Sequence, residues 1–553
     1  MNAAELAVFA GVLEQLCSEM DVTLERTAFS PIISESTDRS CGMYSAIDGG
    51  VIAQGRAGLP IFVGIMQYSV EAFLREITDY RDGDIYVMND PYRGGTHLMD
   101  VRIVAPYYYD GELVCFLADT AHWADIGGAT PGGFGTRSTS IHAEGLRIPP
   151  TRIVRNGELD QNVLRLIMEN IRIPQDREGD LLAQLNALNI GRTRLNAVIG
   201  RYGLSRFREL CDELGDYSER VTKAVIGRIP NGTFAATDFL DDDGVDFEPL
   251  AINCTVRVED EDIWLDFAGT SKPCAGPLNS PIGASTSAVL IALMHLFPEL
   301  PINAGTFRRI HVEIPAGTFL SAEYPSPVAG CASEVPSRVI DTVMSALGKA
   351  DPARAQGGAS STSVNFTLHG MDNGKEYIMY FFAGGGYGAF DGGDGLSNVC
   401  ATISMSRVPP IELLEEWYPI EFESYALREG SGGVGEFRGG LGAQYAIRID
   451  SESARASFLG DRGKFPPQGA AGGGPGEMTD IAIIRANGDV YIPPHISKDQ
   501  DVELWKGDRI VVRMPGGGGY GDPAQRSTAA SERDKRAGIL VPNPHAASEL
   551  VAG

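Results

Sequence analysis

The chain has 553 residues, 43% hydrophobic and 22% charged, a balance that fills several cores and excludes wholesale disorder. With 73 Asp and Glu against 46 Lys and Arg its net charge is −27, which repels phosphate backbones and anionic lipid, so nucleic acid and membrane surfaces are poor partners. The longest apolar run, residues 288–297, is well short of the ~20 residues of a spanning helix and reads as a buried helix.

Leu6, Phe9, Leu13, Leu16 and Met20 recur at helical spacing, so residues 3–24 are expected to form an amphipathic helix. Glu5 stands where an export signal carries Lys or Arg. The eight cysteines are scattered without a C-x-x-C pair, which suits reduced buried thiols and a cytoplasmic location. Strands are expected to about residue 155, the sharpest signal being Asp110-Gly111, a type I′ hairpin dipeptide between the β-rich runs 101–109 and 112–119.

Helical spacing returns over 161–228, with Asp180 as a candidate N-cap and Pro230 as a stop. Strands near 233–268 precede apolar helices at about 284–297 and 334–348. From 351 to 525 short β-rich segments alternate with Gly clusters, the pattern of an irregular β domain. The expected class is therefore α+β, large and multi-layered. Its expected divisions are a strand-rich metal-site region at 1–160, a helical connector at 161–230, an α+β region at 231–350, a Gly-rich β domain at 351–525 and a tail at 526–553.

Three of the eight histidines, His97, His122 and His142, cluster among Asp90, Asp100, Asp119, Asp125 and Glu144. A two-residue turn at Asp110-Gly111 would set His122 opposite Met99, Asp100 opposite Ala121 and His97 opposite Ala124. His97 and His122 then share a face within reach of one ion. Asp100 has the wrong parity and would need a bulge near Gly94-Gly95-Thr96. A fourth ligand is expected from Glu35 or Asp38. Imidazole plus carboxylate suits one divalent metal, Zn or Mn or Fe, whose bound water becomes hydroxide near neutral pH. The competing reading is an ordinary set of hydrogen-bonded residues.

Nucleotide motifs fail on inspection. Residues 516–521 match G-x-G-x-x-G, but Asp522-Pro523 follows where a helix should begin. Gly463-Lys464 lacks both the first Gly and the Ser or Thr of a P-loop, and no G-x-S-x-G elbow occurs. Cys331 reads as a buried thiol rather than a nucleophile.

The run Asn89-Asp90-Pro91-Tyr92-Arg93-Gly94-Gly95-Thr96-His97-Leu98-Met99-Asp100-Val101, followed by Ala121-His122-Trp123-Ala124-Asp125-Ile126-Gly127-Gly128, resembles the hydantoinase B/oxoprolinase family. The likeness continues through Glu144-Gly145-Leu146-Arg147-Ile148-Pro149-Pro150, Asp266-Phe267-Ala268-Gly269-Thr270-Ser271 and the Gly-rich stretch ending at Asp522-Pro523. It implies the β-type subunit of an ATP-dependent enzyme that opens cyclic amides such as hydantoins, oxoproline or lactams. A hydantoinase A-type partner would carry ATP and Mg, in a hetero-oligomer such as (αβ)2. It also implies metal ligands at His97, Asp100 and His122, with Asp38 or Glu35 upstream.

The mechanism expected on that basis has the partner phosphorylate the carbonyl and metal-bound hydroxide attack it, with Asp125 orienting a ligand or taking a proton. The alternatives are a subunit of an ATP-dependent ketone carboxylase and a non-catalytic scaffold. Phe62 stands where the family often has His, and Arg93 and Met99 replace the more frequent Leu and Pro.

Overall fold

A computed structural model describes residues 2–539. The first helix, Ala3–Thr27, buries the expected stripe of Leu6, Phe9, Leu13, Leu16 and Met20 and extends it to Leu24. Asn2 caps it by accepting hydrogen bonds from the amides of Ala4 and Glu5.

Seven antiparallel strands follow: β1 (Arg39–Ser45), β2 (Val51–Gln54), β3 (Ile85–Met88), β4 (Asp100–Tyr109), β5 (Glu112–His122), β6 (Thr151–Arg155) and β7 (Glu158–Leu159). Their order in the sheet is β2-β1-β5-β4-β3-β6-β7. Alternation along β5 shows how the sheet is covered. Phe116 meets Phe73 of the helix Pro60–Glu76, with ring centroids 5.4 Å apart. Leu117, on the opposite face, reaches Gly191 of the long helix Pro174–Tyr202, where Met20 of the first helix also packs. Helices thus press on both faces, which is why β4 is buried from Asp100 to Tyr107.

Asp110 and Gly111 take φ of 49° and 82°, as the type I′ turn requires. The expected pairing beyond that turn is corrected. Tyr108 pairs with Leu113 but Tyr107 pairs with Cys115, so Val114 is an extra residue in β5. Every later pair shifts by one, and Asp100 faces His122 instead of Ala121. The bulge that gives Asp100 the right parity is therefore at Val114 and not near Gly94-Gly95-Thr96.

The helical stretch comprises Gln161–Met168, Pro174–Tyr202 and Leu204–Ile226. Asp180 does not cap a helix. Pro174 starts that helix, and the buried Asp180 carboxylate accepts the amides of Phe29 and Ser30 at 2.9 Å each, tying the end of the first helix to it.

A second sheet, ordered β11-β10-β9-β8, contains β8 (Gly232–Leu240), β9 (Leu250–Glu259), β10 (Asp262–Asp266) and β11 (Ile310–Glu313). Helix Glu334–Ala350 packs on β8 and β9, while Ile282–Leu296 bridges it to Pro60–Glu76. One continuous core runs from Leu6 through these layers and takes in Ala401, Ile403 and Leu459 of the Gly-rich region.

The Gly-rich region has its own core, from Val364 to Met514. One of its sheets is ordered β13-β12-β16-β19, with β12 (Asn365–Asp372), β13 (Lys375–Phe381), β16 (Ser453–Leu459) and β19 (Lys498–Trp505). The other is ordered β14-β15-β20-β17-β18, with β14 (Ile420–Leu427), β15 (Ala443–Ile449), β17 (Asp480–Ile484), β18 (Val490–Tyr491) and β20 (Arg509–Arg513). Its glycines bring backbone against backbone: a Cβ on Gly388 would stand 1.7 Å from the Gly357 carbonyl oxygen. The architecture is a large multi-layer α+β fold. No helix among the described residues is long and apolar enough to cross a membrane. The tail carries a helix, Thr528–Arg536, and residues 540–553 lie outside the described residues.

Candidate metal centre

Strand ends assemble the site. Asp100 opens β4, His122 closes β5 directly opposite it, and His97 lies in the turn just before β4. The His122 amide donates to the Asp38 carbonyl at 3.1 Å, which brings Asp38, the residue before β1, beside them. His97 Nε2 lies 3.1 Å and His122 Nδ1 3.4 Å from Asp100 Oδ1, and one ligating atom from each of the three falls within 4.8 Å of the others. Asp38 Oδ2 is 4.0 Å from His122 Nδ1. His97, Asp100 and His122 are only 3%, 1% and 3% exposed, so bulk water does not satisfy them.

The hydrogen bonds fix which lone pairs face inward. His97 Nδ1 lies 3.2 Å from the Ala329 carbonyl, an acceptor, so this nitrogen carries the proton and Nε2 offers a lone pair to the site. The Thr96 hydroxyl donates to Asp100 Oδ2 and leaves Oδ1 open. His97 Nε2, Asp100 Oδ1 and His122 Nε2 have no hydrogen-bond partner among the described residues. His97 Nε2 and Asp100 Oδ1, 3.1 Å apart, are buried acceptors whose approach is unfavourable unless a proton or a cation lies between them.

Charge follows the same logic. Burial opposes ionisation of Asp100, but His97 and His122 outweigh it and hold its carboxyl below the usual range. Burial pushes the His122 imidazole down, and burial followed by the Asp100 charge pushes the Asp38 carboxyl well up. Two imidazoles and one carboxylate, held by outer hydrogen bonds, form a donor set that fits a divalent cation.

The chamber around them is lined by residues 38–134 of the first sheet's layers and by residues 332–406. Leu59, Ile61, Phe62, Phe382 and Ile403 form an apolar wall, with Ser333, Ser363, Asn365, Ser404 and Ser406 on its polar side. The Phe134 and Tyr380 rings stack on His122, with centroids 6.0 Å and 5.4 Å away. The Tyr380 hydroxyl donates to Asn365 Oδ1 at 2.8 Å. Sequence reasoning missed Tyr380, Asn365 and these serines. The only signal for them was the polar run Ser360-Ser361-Thr362-Ser363 entering an apolar strand.

The other expected residues lie apart. Glu35 follows the short helix Pro31–Ser34 and does not line the chamber. Asp125 accepts four hydrogen bonds, from the amides of Gly127 (2.8 Å), Arg172 (3.0 Å) and Gly132 (3.0 Å) and from Arg172 Nη1 (3.0 Å). It clamps the Gly-rich loop after β5 to the approach of the long helix, and it lines the next cavity instead of the chamber. His142 is exposed and pairs with the Tyr324 hydroxyl at 2.9 Å. Cys331 is fully buried, and burial pushes its thiol well up, as a structural cysteine requires.

A family profile described as hydantoinase B/oxoprolinase matches residues 2–523. The chain is 30% identical over 555 residues to the caprolactamase subunit beta of Pseudomonas jessenii, covering 97% of this chain and 93% of that one. The crystal structure of the ATP-dependent caprolactamase from that organism superposes with a TM-score of 0.89 at 29% identity, covering 98% of this chain and 94% of the other. A nucleotide-free acetone carboxylase also reaches 0.89, at 19% identity over 98% and 78% of the two chains, a likeness of fold alone. The chain belongs to the hydantoinase B/oxoprolinase family.

Proposed function

We propose that this chain is the metal-binding subunit of an ATP-dependent cyclic-amide hydrolase, working with a hydantoinase A-type subunit that binds ATP and Mg. The observation that carries the reading is the set of unsatisfied lone pairs on His97, Asp100 and His122, buried at the floor of a mostly apolar chamber. A relative named as a caprolactamase subunit supports the substrate class and the need for a partner. An unstrained lactam opens slowly and sometimes uphill, which is the reason to couple the step to ATP.

His97, Asp100 and His122 would hold Zn, Mn or Fe, with Asp38 as the fourth ligand. A divalent ion there supplies Lewis acidity toward a carbonyl or water oxygen. The chain's own residues do the rest. Ala329 and Thr96 fix the orientation of His97 and Asp100. The Leu59, Ile61 and Phe62 wall excludes bulk water and packs the ring, and the serine hydroxyls offer donors and acceptors to its amide edge.

The test is a reconstituted complex with its partner subunit, assayed for ATP-dependent ring opening of lactams and hydantoins. Activity should vanish in Asp100→Asn complexes that still assemble. Turnover unchanged per assembled complex would leave the chain a scaffold. Product formation that requires bicarbonate would move it to ketone carboxylation.

A further inference from the structure

We propose that the ring taken by this chamber is uncharged, a lactam or imide without a carboxylate substituent. This rests on the hydrolase reading above and narrows it. Cyclic amides divide by charge: 5-oxoproline carries a carboxylate on the carbon next to its ring nitrogen, and 2-pyrrolidinone is the same ring without it. Three bonds separate that carboxylate carbon from the reacting carbonyl carbon, a span of roughly 4 Å from covalent geometry. With the carbonyl at the His97, Asp100 and His122 cluster, the carboxylate must also lie inside the chamber.

No positive side chain there receives it. No Lys or Arg is among the described residues lining the chamber, and its acidic side chains, Asp38 and Asp100, oppose a second anion. Arg102, two residues along β4 from Asp100, does not line the chamber and is buried, its Nη1 on Ser69 Oγ at 2.7 Å and its Nη2 on the Asp90 carbonyl at 3.1 Å. Arg407 lines the neighbouring cavity, which shares Phe382, Cys400 and Ser406 with the chamber, and is not among the residues lining the chamber itself. Asn365 offers no free amide, because Nδ2 donates to Ser333, Glu334 and Leu459 and Oδ1 accepts from Tyr380.

An anion buried without a positive side chain beside it is disfavoured, and the carboxylates of Asp38 and Asp100 already offset the charge of a divalent ion held there. Ring methylenes, in contrast, gain roughly fourfold in affinity each when buried against an apolar wall such as Ile61, Phe62 and Ile403.

The experiment uses the complex with its partner, ATP and saturating metal. It compares 2-pyrrolidinone and 2-piperidone with their carboxylated counterparts, 5-oxoproline and 6-oxopiperidine-2-carboxylate. Within each ring size the neutral member should have the higher kcat/KM by at least about thirtyfold. Ser404→Lys, which adds a cation to the half-buried edge of the chamber, should narrow that ratio by lowering KM for the carboxylated rings. Equal kcat/KM, or preference for the carboxylated rings, would overturn the neutral-ring inference while leaving the hydrolase reading intact. A complex that assembles and holds metal but opens none of the four rings would overturn the hydrolase reading itself.

Discussion

Glu144 and His97 are joined through a single residue, Ala329. The Glu144 carboxyl accepts the amides of Val328 and Ala329 at 2.9–3.0 Å, and the carbonyl of Ala329 accepts His97 Nδ1–H at 3.2 Å. Glu144 never touches the site, yet it holds the peptide that sets the His97 tautomer. Glu144→Ala removes the acceptor of the Val328 and Ala329 amides. Metal affinity should fall about 10–100-fold, with about 1–3 kcal/mol of stability lost. Chelator competition on the folded variant measures it, and wild-type affinity would contradict the role.

The sequence made the hairpin and its two histidines legible, because Asp110-Gly111 marks the turn by its chemistry. It did not show Val114 as a bulge, since one extra β-branched residue in a strand leaves no compositional trace. That single residue decides which face Asp100 occupies. Asp180 carried a capping signature, but Pro174 starts the helix earlier and the carboxylate serves the amides of Phe29 and Ser30 instead. Tyr380 and Asn365 reach the chamber from β13 and β12, far along the chain, a juxtaposition that only tertiary packing creates.

Candidate ligands should separate by metal content. Asp38→Ala should weaken retention, while Glu35→Ala and Asp125→Asn should keep it. Asp125→Asn should instead lower stability by about 3–5 kcal/mol, because Arg172 loses its ionised partner and the Gly127 and Gly132 loop its anchor. Elemental analysis and chemical denaturation read the two effects independently. Metal loss in a folded Asp125→Asn variant would return that residue to the ligand sphere.

Stability should fall as pH rises from about 7 to 8, above the range in which the buried His122 and His295, held below their usual values, make stability rise with pH. Burial raises Asp21 to about 6, Glu334 to about 7 and Glu144 to about 8. Each binds a proton more tightly folded than unfolded, so its stabilising effect is lost as pH climbs from the unfolded pKa through the folded one. Asp238 and Asp394, held below the usual range, are ionised in both states throughout this window. Melting temperatures of metal-saturated protein from about pH 7 to about pH 8 test this, and a rise with pH there would contradict it.

Phe62 is 2% exposed and forms part of the apolar wall. Phe62→Ala should cost about 3–5 kcal/mol of stability and leave a void. In complexes that still fold, KM should drop for seven-membered lactams relative to five-membered ones. An unchanged ring-size preference would remove Phe62 from the substrate's surroundings.

The most direct measurement of the central claim is the metal content and ATP-dependent ring opening of one purified complex, wild type beside Asp100→Asn. The account predicts about one divalent ion per chain in the wild type, with metal and turnover lost together in an Asp100→Asn complex that still assembles. A wild-type complex that opens rings without a bound divalent ion in this chain, or an Asp100→Asn complex that retains full turnover, would contradict it.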